Sequence, residues 1–299
     1  MLQKRQSLGI FAVALAGVVV GVSLLWETPA PPCESAMAAP EHPLLFAYRG
    51  APDHDPSPTW VGFTMSGVFE NTLPAYERAT ARGMVALDFP VRLTSDDVLV
   101  VIDDAEVVRT TDGEGQVSEM TAEAVALLNA GGGARVPTAE QLLDLYADRV
   151  GYHIRIPDGA EDAEEVAEAL GLLLKDHPAR NVSWVASNNL AALTALRSHV
   201  RGVRTVYRAL EASTVMDLKG NTAGACLAAV ELPVGEVGTG LVEAVGKSAL
   251  VLIADGVQTK AQWADLKGQG AMGALTSFTA LREEAPTRLP AQGEVETWE

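Results

Sequence analysis

Basic residues are in short supply. Lys and Arg number 22 against 39 Asp and Glu, giving a formal charge of −17. A surface of that sign repels nucleic acid and anionic membrane faces, which excludes both as composition-driven partners. Cysteine is scarcer, with two in 299 residues. Cys33 lies beyond the first apolar run, and Pro32 before it is not the small residue that a lipid-modified cysteine requires. Cys226 falls in an expected strand and reads as a small core residue. A bridge between a linker and a core strand is disfavoured, so no disulfide is expected. Histidine, which titrates near neutral pH, occurs five times. The Asn181-Val182-Ser183 sequon reads as a chance match.

What is present begins with one long apolar run, Leu8 to Trp26, preceded by Lys4 and Arg5. Its 19 residues reach roughly 28 Å as a helix, close to a bilayer's hydrocarbon thickness. The basic residues before it predict a cytoplasmic N-terminus and a translocated C-terminal domain. Two readings stay open: a membrane-anchoring transmembrane helix (1–26), or a signal helix cleaved near Ala36-Met37-Ala38, leaving a secreted or periplasmic protein. Either places the folded part outside the cytoplasm. Residues 27–42, rich in Pro, Ala and Glu, read as a linker to a single domain over 43–299.

Within that domain, apolar runs recur as strands at Leu44–Tyr48, Met84–Phe89, Val150–Ile156, Val182–Ala186, Val203–Tyr207, Ala223–Val230, Leu250–Ala254 and Met272–Leu275. Helical patterns separate most of them, at Leu73–Arg82, Ala160–Lys175, Leu190–Val200, Gly238–Lys247 and Lys260–Leu266. Strand–helix alternation of this kind predicts an α/β fold, a parallel (β/α)8 TIM barrel. The strands are continuously apolar, as strands covered on both faces should be. One segment departs from the alternation. Val91–Asp104 reads as a hairpin turning at Ser95-Asp96-Asp97, followed by short helices at Thr121–Ala130 and Thr138–Tyr146. Thr138 with Gln141 fits a capping box, and Asn71-Thr72 offer a cap to the helix containing Pro74.

The chemistry-bearing residues cluster early: Tyr48-Arg49-Gly50 at the first strand's end, Glu70-Asn71-Thr72, Asp88-Phe89-Pro90, Leu93-Thr94-Ser95-Asp96-Asp97, Ile102-Asp103-Asp104, and Arg109 through Gly115. In order and spacing this half of the chain resembles the glycerophosphodiester phosphodiesterase family. The family opens with His-Arg-Gly, and a later strand ends in His-Asp. The resemblance implies a barrel of the phospholipase C-like type, two histidines as general acid and base, an arginine for phosphate, and a divalent ion, Ca²⁺ or Mg²⁺.

Carried over residue by residue, the resemblance implies a depleted site. Tyr48 and Asp103 stand at the two histidine positions. A phenol is a poor base at pH 7 and an ionised aspartate a poor general acid, so both are expected to be inactive. Arg49 matches the phosphate-binding arginine, with Glu70 and Arg155 expected beside it at the substrate. The family's Glu-x-Asp metal pair becomes Asp88-Phe89-Pro90, and its third-strand Glu-x-Lys becomes His153-Ile154-Arg155. Asp88 and His153 are the expected ligands of any metal. His54 could supply a titrating group from the loop after the first strand. Trp60, Phe63 and Phe69 in the same loop either line a lipid or headgroup pocket or plug the mouth.

The expected function is that of a degenerate phosphodiesterase-like envelope protein, retaining binding of a glycerophosphodiester or phospholipid headgroup. Two alternatives stay open. One is an active, metal-dependent phosphoric diester hydrolase of lipid metabolism. The other is a structural or partner-binding envelope barrel.

Overall fold

The computed structural model describes residues 44–52, 68–218, 225–248 and 250–277. The apolar run 8–26, the linker with Cys33, and His54, Trp60 and Phe63 lie outside them. Among the described residues no helix is long and apolar enough to cross a membrane.

Strand β1 (Leu44–Ala47) runs into a single 3-10 turn at Tyr48–Gly50, and α1 (Leu73–Ala81) and β2 (Ala86–Pro90) follow further along the chain. The short strands β3 (Arg92–Leu93) and β4 (Leu99–Val100) pair antiparallel, and α2 (Ala122–Ala126) and α3 (Ala139–Tyr146) follow. Regular alternation then runs from β5 (Gly151–Arg155) through α4 (Ala163–Lys175), β6 (Ser183–Ser187), α5 (Leu190–His199), β7 (Arg204–Arg208) and α6 (Ala212–Asp217). It ends with β8 (Leu227–Pro233), α7 (Thr239–Lys247), β9 (Val251–Asp255), α8 (Lys260–Gln269) and β10 (Gly273–Thr276). The eight long strands close a parallel barrel in the order β1-β10-β9-β8-β7-β6-β5-β2.

The outer core lies between strands and helices. On α4, Val166, Leu170 and Leu174 recur every four residues and are buried, while Leu172 on the other face is exposed. Burying each such side chain contributes about 1.5–3 kcal/mol. Inside the barrel, Phe46, Ala86, Trp184, Val206, Ala229 and Ile253 form a separate apolar layer at the N-terminal end. Above the C-terminal end, the segment from β3 to α3 has its own small core of Val100, Ile102, Val107, Val117, Val125 and Val136. It is held against the β1–α1 connection at Gly131. That glycine has φ +102°, and a Cβ there would collide with the Phe69 ring.

Most expected elements fall within a few residues of their places. The expected strand Ala223–Val230 is found three to four residues later as β8, because the chain turns at Ala225-Cys226, with Cys226 at φ +48°. Cys226 is not a free core thiol: it is half-buried and disulfide-bonded. Helix α6 was not expected; it is short and has no side-chain cap hydrogen bond. The Thr138–Gln141 capping box forms as expected. The Thr72 cap does not, because its hydroxyl donates to the Phe69 carbonyl at 2.8 Å.

Candidate functional site

Side chains alternate along a strand, so residues two apart share a face. Two residues beyond the apolar layer, toward the C-terminal mouth, Ala86 gives way to Asp88, Val206 to Arg208, Ala229 to Glu231 and Ile253 to Asp255. The register pairs Asp88 with His153 on the next strand, and Arg208 with Glu231. A charged layer therefore caps the apolar one, and the two meet where the Phe46 ring lies 5.2 Å from the His153 ring.

The charges alternate in one continuous chain across the barrel. Arg208 Nε donates to Glu231 Oε1 at 2.8 Å. Glu231 Oε2 lies 2.9 Å from His153 Nε2, off the line of a hydrogen bond but within ion-pair reach. His153 Nδ1 lies 2.9 Å from Asp88 Oδ1. Arg155 forks onto both Asp88 oxygens, Nε to Oδ1 at 2.9 Å and Nη2 to Oδ2 at 3.2 Å. Arg155 Nη1 also reaches Asp103 at 3.3 Å, and Asp103 pairs with Arg49. Arg49 Nη1 donates to Glu70 at 2.9 Å, Arg109 donates to Glu70 at 2.7 Å, and Arg109 pairs with Asp104. At the other end, Arg208 Nη1 bonds Asp158 at 2.9 Å, and Arg208 Nη2 lies 3.9 Å from Asp255.

Burial and partner charge set the protonation states. Burial alone would raise the Asp88 pKa, but Arg155 and His153 outweigh it and hold the carboxyl well below the usual range. Burial would lower His153, but Glu231 and Asp88 raise it to about 9. Burial would raise Glu231, but Arg208 and His153 hold it at about 2. Asp103 is depressed by Arg155 and Arg49 against its own burial. Tyr48 goes the other way, because burial pushes its phenol up to about 12 despite Arg155 and Arg49. Both guanidiniums stack over its ring, 5.1 and 4.8 Å from the centroid. Burial and Glu231 raise Asp255 to about 6.

Arg49 sits at φ +50° in the left-handed region, flanked by Ala51 at +50°, with Asn71 nearby at +58°. Non-glycine residues held there cost on the order of 1–3 kcal/mol each and cluster at functional sites. Here the turn aims the Arg49 amide at Asp88 Oδ2, 3.1 Å away. Gly50, at φ +79°, allows α1 to approach, since a Cβ would stand 2.7 Å from Ala75. Among the described residues, two buried donors at this corner find no acceptor, Arg49 Nε and Asn71 Nδ2.

Tyr48, Arg49, Glu70, Asp88, Asp103, His153 and Arg155 thus lie together in one network of contacts. The donors expected to hold a divalent ion do not fit one as they stand. Both Asp88 oxygens face a guanidinium fork, and both His153 nitrogens face carboxylates. Among the described residues no group of three His, Cys, Asp or Glu is placed to hold a metal. Asp103 and Asp104 do not simply end a strand in solvent; they pair with Arg155, Arg49 and Arg109. Sequence reasoning missed Glu231, Arg208 and Asp158. The available signal was a lone carboxylate inside the apolar run of β8 and an arginine ending β7, both at strand C-termini, where barrel sites form.

A family model described as the glycerophosphoryl diester phosphodiesterase family matches residues 49–281. A glycerophosphodiester phosphodiesterase of Caldanaerobacter subterraneus is 40% identical over 87 residues, 27% of this chain and 36% of the relative. One from Bacillus subtilis is 26% identical over 182 residues, 55% of this chain and 56% of the relative. The chain spans about half or less of the length of the curated relatives it matches. A phosphodiesterase of Oleispira antarctica, solved in complex with the product sn-glycerol-3-phosphate, superposes with a TM-score of 0.71. It is 18% identical, with 81% of this chain and 96% of that one covered, a likeness of fold.

Proposed function

The chain belongs to the glycerophosphoryl diester phosphodiesterase family, and from that premise we propose that it binds a glycerophosphodiester or phospholipid headgroup at the barrel mouth without the family's metal-dependent hydrolysis. The observation that carries this reading is the state of the two positions where the family has histidine. Tyr48 keeps its proton far above neutral pH, and Asp103 is held ionised between two arginines. Neither group can exchange a proton with a substrate near neutral pH.

Binding has separate support. Arg49 keeps 19% side-chain exposure at the mouth, so a ligand can reach it. A guanidinium presents several donors in a fixed fork, so the accessible part of Arg49 can take a phosphate oxygen. A location outside the cytoplasm is supported by the basic-flanked apolar run and by the disulfide at Cys226, which needs an oxidising compartment.

The test follows calorimetric binding of sn-glycerol 3-phosphate and glycerophosphocholine, with product release measured in the same samples. Saturable binding is expected without turnover, weakened at least about tenfold in Arg49→Met. Metal-dependent turnover would overturn the reading. Failure of both compounds to bind would favour the structural barrel.

A second reading, hydrolysis at a rebuilt site, has one observation in its favour. Asp255, 26% exposed at the mouth, is a carboxyl that keeps part of its proton near pH 6. Turnover with a limb near that pH, lost in Asp255→Asn, would establish it.

A further inference from the structure

At the centre of the barrel, where Asp88 and Glu231 face each other from opposite walls, the space between the two carboxylates is filled by side-chain cations. We infer that the His153 imidazolium, flanked by the Arg155 and Arg208 guanidiniums, takes the place of a divalent ion in this barrel, so that the site assembles without metal. The inference shares the site of the proposed function but does not depend on what binds there.

The acceptor positions of Asp88 are already taken. An ionised carboxylate offers about four lone-pair sites. Asp88 receives four approaches: His153 Nδ1 and Arg155 Nε on Oδ1, and Arg155 Nη2 and the Arg49 amide on Oδ2. Glu231 receives Arg208 Nε on Oε1 and His153 Nε2 on Oε2. A metal would have to displace these contacts to bind. Each ring nitrogen of His153 lies 2.9 Å from a carboxylate oxygen, and a carboxylate can only accept. Nδ1 donates to Asp88, and with ionised Glu231 at ion-pair distance from Nε2 the ring is held as the imidazolium, which has no lone pair to give a metal.

The same carboxylates that would draw in a divalent ion are already neutralised. Asp88 and Glu231 bring two negative charges, and His153, Arg155 and Arg208 bring three positive ones, shared outward with Asp103 and Asp158. A fixed cation of this kind orders the site as a metal would. It cannot be exchanged, and it cannot polarise a bound water toward hydroxide.

The full chain, stripped with EDTA, would be titrated with Ca²⁺, Mg²⁺ and Mn²⁺ while thermal unfolding and heats of binding are followed. The wild-type midpoint should not move, and no saturable heat should appear. His153→Glu removes the central cation and adds a third carboxylate between Asp88 and Glu231. This variant should unfold earlier in EDTA and regain roughly 5 °C or more when an ion is present at about a hundredfold excess over its Kd. Saturable stabilisation of the wild type that Asp88→Asn removes would overturn the inference, whether or not the His153 variant folds. A folded His153→Glu protein with the same midpoint with and without ions would overturn it too. Headgroup binding is measured separately, so its failure would leave the metal result standing.

Discussion

Two layers of the same barrel lumen are filled in opposite ways. The N-terminal layer, with Phe46, Trp184 and Ile253, is apolar. The layer two residues further along the strands, with Asp88, His153, Arg155 and Glu231, is ionic and equally buried. In the first, stability comes from removing area from water, and truncation costs follow the volume lost. In the second, the desolvation of each charge is offset only because its paired neighbours carry the opposite sign. Losing one member costs what its partners then lack. The lower layer tolerates gradual change, whereas the upper one should respond to single substitutions in steps.

The largest effect should come from Asp88→Ala. It leaves Arg155 without its fork, His153 without one carboxylate and the Arg49 amide without an acceptor. Breaking a buried pair from one side costs about 3–5 kcal/mol, against about 0.5–1.5 for Ile253→Val in the apolar layer. Urea denaturation of the two variants measures the gap. Equal losses would mean that the ionic layer behaves as ordinary packing.

Next comes pH. His153 has its folded pKa raised from its ordinary value of 6.5 to about 9. The stabilisation from its protonated form is complete below the unfolded value and is lost as pH rises through the folded one. The thermal midpoint should therefore fall between about pH 6.5 and 9, by up to roughly 3 kcal/mol of stability. His153→Gln should flatten that slope, while Ile253→Val should leave it unchanged. A wild-type midpoint that is level across this window would show that the imidazole is neutral.

The contrast between the layers also explains what the sequence could reveal. The barrel was legible because strands covered on both faces read as apolar runs, and the spacing of helices between them is regular. Arg49, Glu70, Asp88 and Asp103 were legible through ordered motifs near the first two strands. Glu231 and Arg208 were not, since each is one charge in a run with no motif around it, and its partner comes from another strand. The pairing of Arg155 with Asp88 was hidden for the same reason. Sequence places both residues at the mouth but does not show that the guanidinium would claim both oxygens. The disulfide at Cys226 was missed because β8 begins later than its apolar run.

The smallest effect should mark the edge of the ionic layer. Arg109 and Asp104 are 25% and 39% exposed, so water screens their pairing, and Glu70 keeps Arg49 when Arg109 is removed. Arg109→Gln should cost less than about 1 kcal/mol, and 1 M salt should reduce the loss further. Arg155→Gln, four links inward, should cost several times more and respond little to salt, since Asp88 is then buried without its fork. If Arg109→Gln instead matched Arg155→Gln, the alternating chain would be a single cooperative unit from rim to centre. The division between a buried layer and a solvated edge would then have to be given up.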